Sequence, residues 1–473
     1  MKTLLLLAGL LWSGASLAQP VAVTKTNPQR VYMHYMPWFE TPQTSDNGRW
    51  GLHWTMSNQD PNVVDPATGK RQIAAHYYPL IGPYASSDPA VIEYHLLLLK
   101  YAGVDGVLVD FYGNGANDLP LLLRNTNALV PRTADVGLGF GVVFEDQFAA
   151  TLADAKANMQ YVGANYFSKP NYLQLNGKPL VLTFGPQKYQ TPADWAQILG
   201  VLPTAPTFLP LWYQSQQAGA NAAGEFSWIY SDFLTGLQNF YRNRAPTLGV
   251  AGGAAYPGFD SFYAQGGWGG PTWVIPHNNG QTLAQTLALA TQYQSRLNFV
   301  QLATFNDFGE GTMLEPTQEF GFAALQQIQT FTGAPYTVND LQLVYKLYTL
   351  RKFYAGNAGA QGTLDQAFQA LVKLQVPAAA ALLNGLAQPT PARPATGAQQ
   401  LRLDLYPNPT GNTLRLASAT DLKNGTVQVF DVAGRLVLAQ ESRASIDVSA
   451  LAAGTYRLVF SKGATRLSQT FLK

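Results

Sequence analysis

A chain of 473 residues is too long for a single hydrophobic core, so two or three domains are expected. Charged residues make up only 12%, and 30 Lys/Arg stand against 28 Asp/Glu. That balance leaves no basic face to track a phosphate backbone and argues against disorder and against nucleic acid. Cysteine is absent, which excludes disulfides and thiolate chemistry, while 24 Tyr, 24 Phe and 9 Trp offer apolar faces with polar tips suited to an uncharged polyhydroxylated ligand.

Residues 1–18 read as an export signal. Lys2 is followed by the apolar run Leu4 to Trp12 and then by Ser16-Leu17-Ala18 before Gln19. The run is too short to span a bilayer as a helix, and no later run reaches spanning length, so no transmembrane segment is expected in the mature protein. From Val31 onward short apolar runs alternate with helical stretches. Strands are expected at Val31–Tyr35, Gly106–Asp110, Gly139–Phe144, Leu180–Phe184, Phe208–Trp212, Trp228–Tyr230, Leu248–Ala254 and Phe299–Phe305. Several are apolar throughout, the pattern of parallel strands buried on both faces. Helices are expected at Pro89–Ala102, Thr151–Ala164, Thr191–Leu199 and Thr282–Arg296, the first opened by Ser87-Asp88 with Pro89 in the first turn.

This alternation points to an α/β chain with a (β/α)8 TIM barrel over residues 19–335. A doubly wound open sheet is the weaker alternative, because no Gly-x-Gly-x-x-Gly joins an early strand to a helix. Residues 336–388 carry apolar residues at helical spacing and form an appended helical segment. Residues 389–399 are a Pro-rich linker. Residues 400–473 break into short β-like runs separated by turn signals, a small all-β sandwich.

The segment Asn306-Asp307-Phe308-Gly309-Glu310-Gly311 follows the last apolar run. Acids just beyond a barrel strand are where such a fold places chemistry, and a pair of carboxyl groups is the working part of most glycoside hydrolases. Asp307 capping the next turn beside a solvated Glu310 is the competing reading. The other strand ends offer Tyr35 and Trp38, Phe111 and Tyr112, Glu145, and Tyr230 as sugar contacts. The five histidines show no His-Glu-x-x-His pairing, so no metal is expected; with no Walker-type loop or Gly-x-Ser-x-Gly elbow, neither a cofactor nor a serine nucleophile is expected. Gly266-Gly267-Trp268-Gly269-Gly270 is expected to be a loop at the barrel mouth.

Several motifs occur in a telling order. They are Tyr35-Met36-Pro37-Trp38, His76-Tyr77-Tyr78-Pro79 running on to Asp88-Pro89, Tyr256-Pro257-Gly258-Phe259-Asp260, and Asn306 to Pro316. As a set this region resembles the family 99 glycoside hydrolases and their family 71/99-like relatives. The resemblance implies a retaining enzyme acting on α-linked mannose polymers or glycans. It implies that Glu310 is the acid and that Asp307 is a base on the neighbouring sugar hydroxyl, through an internal epoxide; a direct nucleophile is the other possibility the residues leave open. Asn306 would contact that hydroxyl. The family has Glu where this chain has Asp307, whose oxygens lie about 1.5 Å closer to the backbone. The C-terminal runs Leu405-Tyr406-Pro407-Asn408-Pro409 and Gly454-Thr455-Tyr456, with the ending Phe471-Leu472-Lys473, resemble a type IX secretion sorting domain. That implies export through the periplasm of a Gram-negative cell, with the type IX machinery as partner and the protein secreted or at the cell surface. The expectation is therefore a secreted retaining α-glycosidase acting on α-mannosides. An α-glucanase of the family 71 type, or a non-catalytic surface glycan-binding protein on a degenerate barrel, are the alternatives.

Overall fold

The structure is a computed structural model that describes residues 19–114, 120–387, 403–406, 410–418, 425–431, 435–443, 445–462 and 465–473. The expected export signal at 1–18, the linker at 389–399 and the turn residues 407–409 lie outside the described residues. The chain forms two compact units that divide between Ala387 and Gln388.

The first unit is built on one sheet. Its strands are β1 (Val31–Tyr35), β2 (Gly106–Phe111), β3 (Gly139–Phe144), the two-residue β4 (Gln174–Leu175), β5 (Lys178–Thr183), β6 (Thr207–Leu209), β7 (Gly224–Phe226), β8 (Val250–Ala255) and β9 (Phe299–Leu302). The order runs β4-β5-β3-β2-β1-β9-β8-β7, with β6 also paired to β5. All these pairings are parallel except the β4–β5 hairpin. The sheet curls until its two ends meet. Leu211 bridges Phe226 in parallel, the Trp212 N–H donates to the Phe226 carbonyl at 2.9 Å, and the Phe226 N–H donates to the Pro210 carbonyl at 3.1 Å. Strands β1, β2 and β8 are buried along their whole length, in keeping with sequences that are apolar but for His34 and Asp110.

Helices alternate with these strands: α1 (Leu52–Thr55), α2 (Pro89–Tyr101), α3 (Pro120–Val136), α4 (Leu152–Asn165), α5 (Pro192–Leu199), α6 (Ser215–Ala218), α7 (Leu234–Asn239), α8 (Gln281–Gln292) and α9 (Ala323–Thr332). Their starts follow from capping chemistry. Asp88 accepts from the Ala90 N–H ahead of Pro89, and Thr151 with Asp154 closes a reciprocal capping box. The curled, mainly parallel sheet with interleaved helices is an α/β barrel architecture.

Some details depart from the sequence expectation, among them the ten-residue helix α9, which no expected helix covers. Helix α3 was not anticipated, because Pro131 sits inside it and proline ordinarily interrupts a helix. The sixth expected strand, Trp228–Tyr230, is displaced: β7 ends at Phe226, and Trp228 to Tyr230 belong to the loop beyond it.

Helices α10 (Val338–Phe353), α11 (Ala358–Val372) and α12 (Val376–Gly385) complete this unit. They are fastened to it by a bidentate pair, with Arg351 donating to both Glu93 oxygens at 3.0 Å, and by the Tyr101 hydroxyl donating to the Leu371 carbonyl at 3.0 Å. The second unit has two antiparallel sheets. One is β10 (Leu403–Tyr406), β11 (Thr413–Ser418) and β14 (Ser445–Asp447); the other is β13 (Leu436–Glu441), β12 (Thr426–Asp431), β15 (Thr455–Lys462) and β16 (Thr465–Leu472). Leu414 and Ile446 from the first sheet share one core with Val427, Leu458 and Phe460 from the second. Among the described residues no helix is long and apolar enough to cross a membrane.

Candidate active site

The chain leaves β9 in a tight loop. The Asp307 N–H donates to Thr304 Oγ1 at 2.9 Å, and Asp307 Oδ1 accepts the Glu310 N–H at 2.9 Å. Gly311 has φ +67°, and a Cβ there would stand 2.8 Å from the Asp260 carbonyl oxygen, so only glycine fits both the turn and the close approach. The neighbouring loop clamps this one: the Asp260 N–H donates to the Glu310 carbonyl and the Phe262 N–H to the Gly309 carbonyl, both at 2.8 Å. His277 Nε2 lies 2.7 Å from the Gly311 carbonyl.

The same geometry explains the motifs. His76 Nδ1 lies 3.0 Å from the Asp260 carbonyl, and the Tyr77 hydroxyl donates to Asp260 Oδ2 at 3.2 Å. The segment beginning at His76 therefore braces the loop of Asp260, which in turn braces the acids. Behind them lies a buried network. Asn306 bonds the Met36 backbone at both N–H and carbonyl, 2.9 Å each, and donates to the Tyr84 hydroxyl at 3.2 Å. Tyr84 donates to Glu315 at 2.6 Å, and Glu315 lies 3.3 Å from His95, which meets the Tyr35 hydroxyl at 2.9 Å.

Asp307 and Glu310 open onto a cavity of about 400 Å³, the size of a small-molecule site. It sits at the C-terminal ends of the parallel strands, which contribute His34 and Met36 after β1 begins, Asp110 from β2, Glu145 after β3, Phe184 after β5 and Trp228 after β7. The aromatic wall includes Trp38, Tyr112, Phe148, Tyr263 and Trp268. Trp38 stacks flat on His53, with centroids 3.8 Å apart, and Tyr112 packs on Phe148 at 4.5 Å. Among the described residues no Lys or Arg lines the cavity.

The expected residues therefore divide. Asp307, Glu310, Trp38, Tyr112 and Glu145 line the cavity together. Tyr35, Phe111, Asn306 and Tyr230 are not among its lining residues. Tyr35 is fully buried, bonded to His95 and stacked on Phe305. Phe111 is buried between Tyr161 and Tyr166, because alternation along β2 sends Asp110 to one face and Phe111 to the other. Asn306 is fully buried in the backbone contacts just described. Tyr230 is 57% exposed, since β7 ends four residues before it.

Sequence reasoning passed over Asp110, Trp228, Tyr263 and Trp268. A signal for Asp110 was present: it is the one charge in the otherwise apolar strand Gly106 to Phe111, and a charge buried in a parallel strand calls for a specific reason. Trp268 does lie in the glycine-rich segment assigned to the mouth.

Burial dominates the electrostatics. It pushes Glu310 well above the usual carboxyl range, helped by the charges of Asp307 and Glu145. It raises Asp307 to about 7 against the opposing pull of the Glu310 and Gly309 N–H groups. A base must be ionised to act; at this value Asp307 titrates near neutrality. Glu145 is likewise raised to about 7 by burial, and Asp110, buried beside Glu145 and bonded to it, is raised further. Burial lowers His34 to about 3, which keeps it neutral. Among the described residues no group of three or more His, Asp or Glu is arranged to hold a metal ion.

A barrel-end cavity holding a proton-retaining carboxyl beside a second acid, walled by aromatics, defines a glycoside hydrolase. The comparisons agree. Residues 26–205 match the profile of glycosyl hydrolase family 99, and residues 404–473 match that of the secretion system C-terminal sorting domain. The chain carries both domains; the first match runs from before β1 to just short of β6, so Asp307 and Glu310 lie beyond it. The chain is 23% identical over 312 residues to a glycoprotein endo-alpha-1,2-mannosidase-like protein of Danio rerio, covering 60% of this chain and 70% of that one. It is 22% identical over 347 residues to the glycoprotein endo-alpha-1,2-mannosidase of Mus musculus, covering 63% and 70%. Among solved structures it resembles the family 99 endo-alpha-mannosidase of Bacteroides thetaiotaomicron, with TM-score 0.51 and 18% identity over 67% of this chain and 98% of that one. The sorting domain supports secretion or cell-surface export.

Proposed function

We propose that this protein is an exported, retaining α-mannosidase that cleaves mannose polymers or glycans in the cavity of Asp307 and Glu310. The observation that carries the proposal is the pair itself: two carboxyl groups at the end of β9, both lining one cavity and both raised by burial, Glu310 the further. The names of the relatives support mannose as the sugar. On this reading the curled sheet is a closed (β/α)8 barrel, its eight parallel strands joined at the Leu211–Phe226 bridge.

Glu310 gives its proton to the departing glycosidic oxygen as the bond to the anomeric carbon breaks. Asp307 takes the proton of the neighbouring hydroxyl, whose oxygen closes onto the anomeric carbon as an epoxide. Water then opens that ring; Glu310 takes the water's proton and Asp307 returns its own. Two displacements at one carbon retain the configuration. Asn306 fixes the register between the acid loop and the end of β1. Trp38 and Tyr112 form platforms for sugar faces, and Glu145 accepts from a hydroxyl. The second unit would direct export by the type IX route through the periplasm of a Gram-negative cell.

The test is hydrolysis of defined α-mannans and α-glucans by the purified protein, with NMR of the first-formed product. Retained configuration and a preference for mannan are expected. Glu310→Gln should lose at least about a hundredfold in kcat and keep its affinity, because the amide preserves shape but cannot donate the proton. An inverted product, or full activity in Glu310→Gln, would defeat the assignment. A wild type that binds mannan without cleaving it would favour the glycan-binding reading.

A further inference from the structure

A second concavity, of about 820 Å³, adjoins the cavity of Asp307 and Glu310. Leu52, the first residue of α1, and Leu121, in the first turn of α3, line both. The two spaces therefore meet along these leucines, and Leu52, 60% exposed, is the lip between them. The second space is a groove formed by the segment between β1 and α1, the residues just after α1 and the start of α3.

Trp50 lines this groove and is fixed from outside it. Its Nε1–H donates to Asn62 Oδ1 at 3.0 Å. The Arg71 guanidinium, which is not on the groove wall, lies 5.4 Å from the centre of the ring and donates to the Pro61 carbonyl at 2.8 Å. An indole held in this way offers a preset surface at little further cost in entropy. The loop beside it is pinned as well, with the Arg49 N–H donating to Ser45 Oγ at 2.9 Å and to Asn47 Oδ1 at 3.0 Å. The charges of the wall largely answer one another. Arg124 donates to Asp46 at 2.6 Å and to Glu40 at 3.2 Å, and Arg49 and Asp60 add one charge of each sign.

A phosphate chain needs a cationic track, and a strongly charged peptide needs a face of the opposite sign. The described residues of this wall supply neither. One fixed indole among amides and paired charges suits a neutral polyhydroxylated chain. The cavity is about half the size of the groove, so a polymer bound at Asp307 and Glu310 runs out over the rim. The two leucines offer the C–H faces of its next sugars an apolar path toward Trp50.

We infer that this groove is a remote subsite of the same glycan site, with Trp50 as its platform, and that the substrate is a neutral oligosaccharide or polymer long enough to fill both spaces. The inference rests on reading the cavity as the glycan site. Binding energy gained in the groove is then available to seat the reacting sugar.

The experiment uses the full chain as Glu310→Gln, to prevent turnover, and measures binding by calorimetry at pH 7. The probes are methyl α-mannoside and α-linked manno-oligosaccharides of increasing length, with the matching α-gluco series beside them. The longest members of one series should bind at least about tenfold tighter than the shortest. Adding Trp50→Ala should cut that gain to about twofold or less and leave the shortest ligands unchanged, while Trp50→Phe, which keeps a ring, should retain most of it. Trp50 also packs against the core, so Asn62→Ala, which frees the ring without unloading the core, serves if Trp50→Ala does not fold, and it should lower the gain too. Affinity that does not rise with length, a gain unchanged by these substitutions, or a loss shared equally by short and long ligands would overturn the inference. Hydrolysis by the wild type is read separately. Cleavage of α-mannan without a length-dependent gain removes the groove and leaves the proposed function standing. A gain lost in Trp50→Ala, in a protein whose wild type cleaves no glycan, does the reverse. Failure of both series to bind defeats both.

Discussion

Asp307 Oδ1 accepts the Glu310 backbone N–H at 2.9 Å, so the shorter acid caps the turn that presents the longer one. The two readings of this segment, a capping aspartate and a catalytic pair, are thus compatible in one loop. Lengthening the side chain would carry its carboxyl past the Glu310 N–H and toward the cavity. We expect Asp307→Glu to lower kcat/KM by about a hundredfold, the cost of a misplacement near 1 Å, with KM changed less than kcat. Activity equal to or above wild type would show that the cap is dispensable and that the pocket accepts the longer acid.

The raised carboxyls set the pH behaviour. Catalysis needs Asp307 ionised and Glu310 protonated, so kcat/KM should rise with pH through about 7 and fall at a higher pH as Glu310 loses its proton. The stability sign is opposite. Folded Asp307 holds its proton up to about 7, while the unfolded chain gives it up near 3.8, the ordinary aspartate value. Stability therefore declines as pH rises between these values, and above about 7 the whole penalty is present, on the order of a few kcal/mol. Asp307→Asn keeps the oxygen that accepts from Glu310 and removes the buried charge. It should be inactive, melt a few degrees higher than wild type at pH 8, and match wild type at pH 4. A lower melting temperature at pH 8 would contradict this account of burial.

Gly311 is held at φ +67° against the Asp260 backbone. Gly311→Ala should cost about 1–2 kcal/mol for the left-handed conformation, and more for the contact, because the near atom is backbone. Since Glu310 is the preceding residue, kcat should fall more steeply than global stability. Chemical denaturation beside steady-state kinetics would read both. Loss of stability with kcat preserved would mean that the clamp does not position the acid.

The aromatics separate into two groups with different expected phenotypes. Tyr112→Ala, on the cavity wall, should raise KM by roughly tenfold or more through lost stacking contact. Phe111→Ala, one residue away but buried against Tyr161 and Tyr166, should cost about 3–5 kcal/mol of stability and leave KM near wild type in whatever fraction folds. Tyr35→Phe should shift stability and not affinity, because its hydroxyl is committed to His95. A KM effect for Tyr35→Phe comparable to that for Tyr112→Ala would return Tyr35 to the binding surface.

Much of this protein was legible in one dimension. The largely apolar runs of β1, β2 and β8 announce strands buried on both faces, and caps such as Asp88-Pro89 and Thr151 announce the helices between them, because these preferences act over a few residues. The two acids after β9 could be picked out because they follow such a run beside glycines. Tertiary structure alone decided which neighbours of a strand end reach the cavity. Residues at strand ends alternate between faces, so Asp110 enters and Phe111 leaves, and a shift in where β7 ends places Trp228 on the wall and Tyr230 in solvent. The raised carboxyls were likewise beyond the sequence. They arise where acids in or just after β2, β3 and β9, far apart along the chain, are desolvated in one cavity with no Lys or Arg among the described residues of its wall.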